Sequence, residues 1–233
     1  MNLGLALRYS AAVCCTCFRS LGHARALGIR RQEYGRYFQK SIDLALCYAG
    51  FDAGGRVASA WRAGEAAFLC CAYDVVTDWR GFARDSRGAF EHILCLRTHD
   101  RRLRQLALGL YDQEKSNTLN DDGLERGAIA LRLVLSIMKC NDTHSPLWTN
   151  VDAAGRLLQI VDDVLDYEGD LMRGEANCLI SPRRCIYLRQ LLGSLDQAQF
   201  REMLGRFDGV LLTVINRARL KAEMFLYRWS GSS

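Results

Sequence analysis

Proline is nearly absent from this chain: Pro146 and Pro182 are the only two in 233 residues, and each follows a serine. No run of alternating β-branched residues bounded by turn signals occurs either, which argues against a sheet architecture and for an all-α fold. Lysine is almost as rare, four residues against 27 arginines, and the arginines are dispersed rather than clustered with aromatics. That pattern argues against duplex DNA or RNA as a partner. The four histidines, His23, His92, His99 and His144, lack ligand spacing, and no C-x-x-C pair is matched by one. The common zinc modules are therefore not expected. Long apolar runs are missing too. Ala66–Tyr73 is apolar for eight residues, well short of the roughly 20 that a membrane span needs, so no transmembrane segment is expected.

The chain is long enough for one well-buried domain, and no shift in composition divides it, so residues 1–233 are expected to form a single domain. The net charge of +5 is mild and suits a small anionic substrate such as a phosphate ester. The ten cysteines read as small hydrophobes, because Cys14-Cys15-x-Cys17 and Cys70-Cys71 lie inside apolar runs. Free thiols used in this way suit a reducing compartment, which points to the cytoplasm. The first 32 residues hold Arg8, Arg19, Arg25, Arg30 and Arg31 and no acid. An ordinary first helix or an organelle-targeting segment fits that composition, so residues 1–30 are set apart as peripheral or targeting-like.

Helical periodicity places helices over residues 5–26 and 32–48, with a Gly-rich loop at 51–55. The next helix runs from Val57 to Trp79. Its Ala66–Tyr73 portion is apolar all round, which marks burial on most sides, and it carries Asp74 and Asp78 one turn apart at its end. Aspartates there oppose the helix macrodipole and need a reason. A charged loop follows at 81–88, then a basic amphipathic helix over Phe90–Leu110 and a turn cluster at 117–123. The helix from Leu124 to Lys139 embeds Arg126 and Arg132 among apolar residues. Each requires an anionic partner, from the protein or from a ligand. After a loop at 141–146 and the acidic helix below, two more helices are expected at 184–192 and 195–228.

The most informative stretch is Leu157–Ile180. Its apolar residues recur at helical spacing, while Asp162, Asp166 and Asp170 lie four apart and share a face, climbing about 6 Å per step. A solvated face is the bland explanation. However, exposed faces mix signs to gain i,i+4 pairs, and no Lys or Arg lies between Arg156 and Arg173. Four aspartates and Gly169 also sacrifice helix propensity. A divalent cation would compensate, and carboxylate oxygens suit Mg²⁺, which keeps its other positions for water and substrate phosphate. Two aspartate-bearing helices facing each other across a bundle can bracket an apolar cavity. Ions at its mouth would hold a diphosphate and stabilise its departure, with the resulting carbocation kept dry below.

The motif Asp162-Asp163-x-x-Asp166-x-x-x-Asp170, continuing through Arg173-Gly174-Glu175-Ala176-Asn177, resembles the second metal motif of class I terpene synthases, N-D-x-x-S/T-x-x-x-E/D followed by Gly-Glu or Gly-Asp and then Asn. Asp162, Asp166 and Asp170 take its three ligand places. Asp74-Val75-Val76-Thr77-Asp78 stands where the family has D-D-x-x-D. That D-x-x-x-D spacing, and Asp166-x-x-x-Asp170-x-x-Arg173-Gly174, are also similar to squalene and phytoene synthases. Gln159–Asp166 is similar to the second aspartate motif of chain-elongating prenyltransferases. The matching windows cover about a tenth of the chain.

The resemblance implies an antiparallel helical bundle around a central apolar cavity. It also implies a carbon–oxygen lyase that ionises a linear prenyl diphosphate and cyclises or rearranges the cation. Asp74, Asp78, Asp162, Asp166 and Asp170 would be the catalytic metal ligands, holding three Mg²⁺ ions with the diphosphate. Arg126, Arg173, Lys221, Tyr227 and Arg228 would bind diphosphate. Arg126 stands for the family's upstream sensor, and Tyr227-Arg228-Trp229 for its terminal Arg-Tyr pair. A homodimer is compatible with this reading. The alternatives are a prenyl-coupling enzyme and a non-catalytic helical partner subunit.

Overall fold

A computed structural model of the chain describes residues 11, 12, 14–16, 18, 35, 57–78, 86–98, 100–115, 123–137, 150–174, 177–197 and 209–230. Within these residues every regular element is helical and no strand occurs, so the expected all-α fold is present. The elements are α1 (Val57–Asp78), α2 (Ser86–Arg97), α3 (Arg101–Lys115), α4 (Glu125–Ile137), α5 (Val151–Arg173), a 3₁₀ turn (Cys178–Ile180), α6 (Arg184–Leu195) and α7 (Gly209–Ser230). None of these helices is long and apolar enough to cross a membrane. Of the expected helices at 5–26 and 32–48, residues 11, 12, 14–16, 18 and 35 are described and are helical; the loops at 51–55 and 141–146 fall outside the described residues, the loop expected at 81–88 gives way to α2 from Ser86 on, and of the turn cluster at 117–123 only Gly123 is described.

The chain divides into two units, one of Met1–Thr118 with Leu133–Asn141 and one of Leu119–Arg132 with Asp142–Ser233. In the first, α1, α2 and α3 pack on one another. The all-round apolar segment of α1 is its centre: Ala66, Ala67, Phe68, Leu69, Cys71 and Ala72 have no exposed surface. Burying a side chain such as Phe68 contributes about 2–3 kcal/mol. Tyr73, Phe90 and Tyr111 carry this core from α1 through α2 to α3, with ring centroids 5.6 and 5.9 Å apart. The basic helix expected over Phe90–Leu110 is interrupted, with Thr98 and Asp100 outside the helices. There the Thr98 hydroxyl accepts from the Asp100 amide and the Asp100 carboxylate accepts from the Leu103 amide. These local bonds offer the backbone a cap in place of the helix ladder, which ends α2 and starts α3. Arg87 then ties α2 to α3 by donating to both oxygens of Asp112, at 2.7 and 3.0 Å.

The second unit is organised around α5, which packs against α6, α7 and the 3₁₀ turn. Its buried stripe is Val151, Ala154, Leu157, Ile160, Val161 and Val164, the spacing expected of an amphipathic helix. Gly174 ends the helix in left-handed backbone, φ 63°, and its amide returns to the carbonyls of Asp170 and Leu171. Near its start, α5 meets the first part of α4. Glu125 pairs with Arg156, Gly127 abuts Gly155, and Arg132 pairs with Asp152, so numbering rises on one helix as it falls on the other and the two run antiparallel.

Arg132 donates to both oxygens of Asp152 at 2.5 Å, and this hydrogen bonding holds the Asp152 carboxyl below its ordinary range despite some opposing burial. A depressed carboxylate contributes stability above its unfolded pKa, about 3.9, and loses that contribution as pH falls through the folded value. Both side chains are more than a third exposed, so solvent screening limits the contribution to about 1 kcal/mol or less. The stability difference between the parent and Asp152→Asn, measured by urea unfolding, should be constant above about pH 5 and shrink toward pH 2.

Candidate functional site

The acidic side chains of α5 have four different fates. Asp152 is paired with Arg132, as above. Glu168 accepts from Lys221 at 2.5 Å, and Lys221 also donates to the Leu165 carbonyl at 2.8 Å, so one lysine of α7 clips two successive turns of α5. Lys221 hydrogen bonding is the main reason that the Glu168 carboxyl sits below its ordinary range. Asp163 is swallowed, 2 % exposed. Asp162 and Asp166 are exposed and Asp170 is half-buried, and they form the remaining stripe. Asp166 makes no ion pair among the described residues.

Asp162 and Asp163 are adjacent, and a helix turns about 100° per residue, so the two carboxylates point to different surroundings. Asp163 lands on the flank over which the chain folds back after Gly174. Its two side-chain oxygens accept from the Gln159 amide and from the Cys178 backbone N–H, each at 2.8 Å. Burial drives the Asp163 carboxyl above its ordinary range, opposed first by the Arg126 guanidinium and then by the Cys178 and Gln159 donors. Asn177 completes the return. Its amide donates to the Asp163 carbonyl and to one oxygen of Asp170, both at 2.8 Å, and its own oxygen accepts from Leu179 N–H to cap the 3₁₀ turn. Cys178 and Leu179 are then fully buried.

Of the two α4 arginines expected to be embedded, Arg126 is buried while the Arg132 side chain is 40 % exposed, and both face protein acids. Arg132 takes Asp152, while Arg126 is buried, donates to the Gly123 carbonyl at 3.2 Å and lies close enough to Asp163 to act on its charge. Gly123 is itself required there: its φ is +83°, and a Cβ would stand 3.1 Å from the Arg126 guanidinium. On α7, Tyr227 is 86 % exposed. Arg228 is exposed and helps to lower the Glu168 carboxyl. Trp229 stacks on Phe225 at 4.8 Å, meets Tyr167 edge-on at 5.7 Å and carries the Arg184 guanidinium 4.6 Å above its ring. It is part of the packing of α5, α6 and α7.

The backbone of Asp74 and Asp78 is helical at the end of α1, in the first unit, and that of Arg173 is helical at the end of α5. The side chains of these three residues, and Glu175 and Ala176 entirely, lie outside what is described. The structure thus unites Asp162, Asp166 and Asp170 on one helix, sets Lys221 and Arg228 beside Glu168 of that same helix, and places Arg126 behind it.

The donor chemistry of the stripe fits Mg²⁺. Its members are hard carboxylate oxygens, and one of the Asp170 oxygens is already oriented by Asn177. No group of three His, Cys, Asp or Glu side chains among the described residues converges on one point. Mg²⁺ is usually held by one or two carboxylates, with water and phosphate oxygens in its other positions. The sequence motif includes Asp163 and Asn177 but assigns neither a role, and it stops short of Cys178. The available signal was an Asn seven positions after Asp170 and directly before the apolar run Cys178-Leu179-Ile180. No family model, curated protein or solved structure matches this chain.

Proposed function

We propose that this protein is a Mg²⁺-dependent class I terpene synthase acting in the cytoplasm on a linear prenyl diphosphate. One observation carries the reading: Asp162, Asp166 and Asp170 remain as a stripe on α5 while Asp163 between them is withdrawn and locked by the returning chain. A solvated acidic face has no need of that distinction. Mg²⁺ held by this stripe would neutralise charge building on the departing diphosphate.

In this reading the allylic C–O bond breaks with both electrons leaving on diphosphate. The cation closes or rearranges in an apolar pocket and ends by losing a proton or taking up water. Asp74 and Asp78 supply the second set of metal ligands. Arg173, Tyr227 and Arg228 contact diphosphate. Arg126 and Lys221, which have carboxylate neighbours inside the protein, act on it through Asp163 and Glu168.

The D-x-x-x-D spacing of Asp74/Asp78 and of Asp166/Asp170 favours prenyl coupling as the second reading. One set of incubations separates the two. The protein is supplied with Mg²⁺ and the ten-, fifteen-, twenty- or twenty-five-carbon diphosphate, with and without isopentenyl diphosphate or NADPH, and products are read by mass spectrometry. A product of unchanged carbon number with release of diphosphate is expected. A longer chain would transfer the assignment to coupling, and failure to release diphosphate from any substrate would defeat both.

A further inference from the structure

We infer that Asn177 is a positioning residue for the carboxylate stripe, orienting Asp170 for the cation; the inference rests on the metal reading above. A cap for the 3₁₀ turn needs only the Asn177 side-chain oxygen, which accepts from Leu179 N–H at 2.9 Å. Serine or threonine would serve as well there. What those residues lack is the amide nitrogen, and here both of its donors reach back to α5. One meets the Asp163 carbonyl and the other meets Oδ2 of Asp170, each at 2.8 Å.

Asn177 is 6 % exposed, so water is a poor substitute for either bond. The base of the contact is also rigid. Asp163 accepts the Cys178 N–H at 2.8 Å, and Asn177 donates to Asp163 in return, so the residue that holds Asp170 is anchored one turn and more upstream of it. Asp166, by contrast, has no ion pair among the described residues to restrict its rotamers. Asp170 has a side-chain oxygen held by the returning chain. A carboxylate with one oxygen held by a neutral donor is restricted to a limited set of orientations. Outer-sphere partners of this kind orient metal ligands, and their loss typically costs about 10- to 100-fold in metal affinity.

The test uses the full chain with Mg²⁺ and inorganic pyrophosphate, reading the thermal unfolding midpoint as Mg²⁺ is titrated. The parent is expected to show a Mg²⁺-dependent rise. Asn177→Ser keeps the cap and removes the reach to Asp170; it should need about tenfold more Mg²⁺ for half of the rise, with an unchanged helical spectrum. Asn177→Thr serves the same purpose should the serine variant fail to fold. In an Asp170→Ala background the serine change should add less than about twofold, because its effect passes through Asp170. An unchanged Mg²⁺ requirement in Asn177→Ser overturns the inference and leaves the metal reading standing. A shift that persists in the Asp170→Ala background also overturns it, by showing that Asn177 acts through the fold. If the parent shows no Mg²⁺-dependent rise with pyrophosphate, the metal reading fails and this inference with it.

Discussion

Asp166→Ala is expected to abolish product formation while making the protein equally or slightly more stable, whereas Asp163→Ala, three residues earlier, is expected to destabilise it. Asp166 is exposed and has no ion pair among the described residues, so its removal orphans nothing. Alanine is the better helix former by roughly 0.5 kcal/mol, and the like-charge contacts with Asp162 and Asp170 one turn away are relieved by a few tenths more. A purely structural stripe therefore predicts a modest gain in melting temperature and nothing else. On the metal reading, turnover of a prenyl diphosphate falls by more than about 100-fold, because even outer-sphere partners of a metal are worth up to that much.

Asp163 is different because its oxygens satisfy two donors and its charge faces the buried Arg126. Its loss leaves buried groups unpaired and should cost about 3 kcal/mol, or about 6–12 °C in a chain of this size. Melting curves and product assays on the two variants decide the matter. Undiminished turnover in Asp166→Ala would sink the terpene synthase proposal.

Gly155→Ala is expected to destabilise the second unit by at least about 2 kcal/mol, against the usual direction for such a change. In an ordinary helix interior, Gly→Ala stabilises by up to about 1 kcal/mol through propensity. At this position a Cβ would stand 2.4 Å from the Gly127 carbonyl oxygen and 2.6 Å from the Ala128 Cα. From the other helix, a Cβ on Gly127 would stand 2.1 Å from the Gly155 carbonyl oxygen. These obstacles are backbone, so a rotamer change cannot relieve them and α4 and α5 would have to separate. Separation would also stretch the Glu125–Arg156 and Arg132–Asp152 pairs that flank the crossing. Gly109→Ala on α3 is the control, since nothing lies within 4 Å of its added Cβ. Chemical denaturation should show loss for Gly155→Ala and a small gain for Gly109→Ala. A gain in both would mean that the α4–α5 crossing is not close.

Much of this could be read from local pattern. The scarcity of proline and the lack of alternating β-branched runs pointed to helices, and the all-round apolar segment Ala66–Tyr73 is the buried centre of its unit. The four-residue interval placed Asp162, Asp166 and Asp170 on one helix face because helix geometry depends on the chain alone. The break at Thr98–Asp100 was also present in local residue types, but the amphipathic pattern running across it masked two competent caps.

Partner choice was not legible. Both embedded arginines of α4 needed an anion, and nothing in their neighbours along the chain indicated that Arg132 would meet Asp152 and Arg126 the vicinity of Asp163. The crossing at Gly127 and Gly155 is likewise a relation between helices. The sequence by itself therefore determined that α5 carries a column of aspartates, since periodicity is a property of one helix. Only the tertiary structure decided which aspartate is withdrawn and which is held, because burial of Asp163 and the grip on Asp170 come from a turn that returns more than three helical turns of sequence later in the chain's path than Asp163.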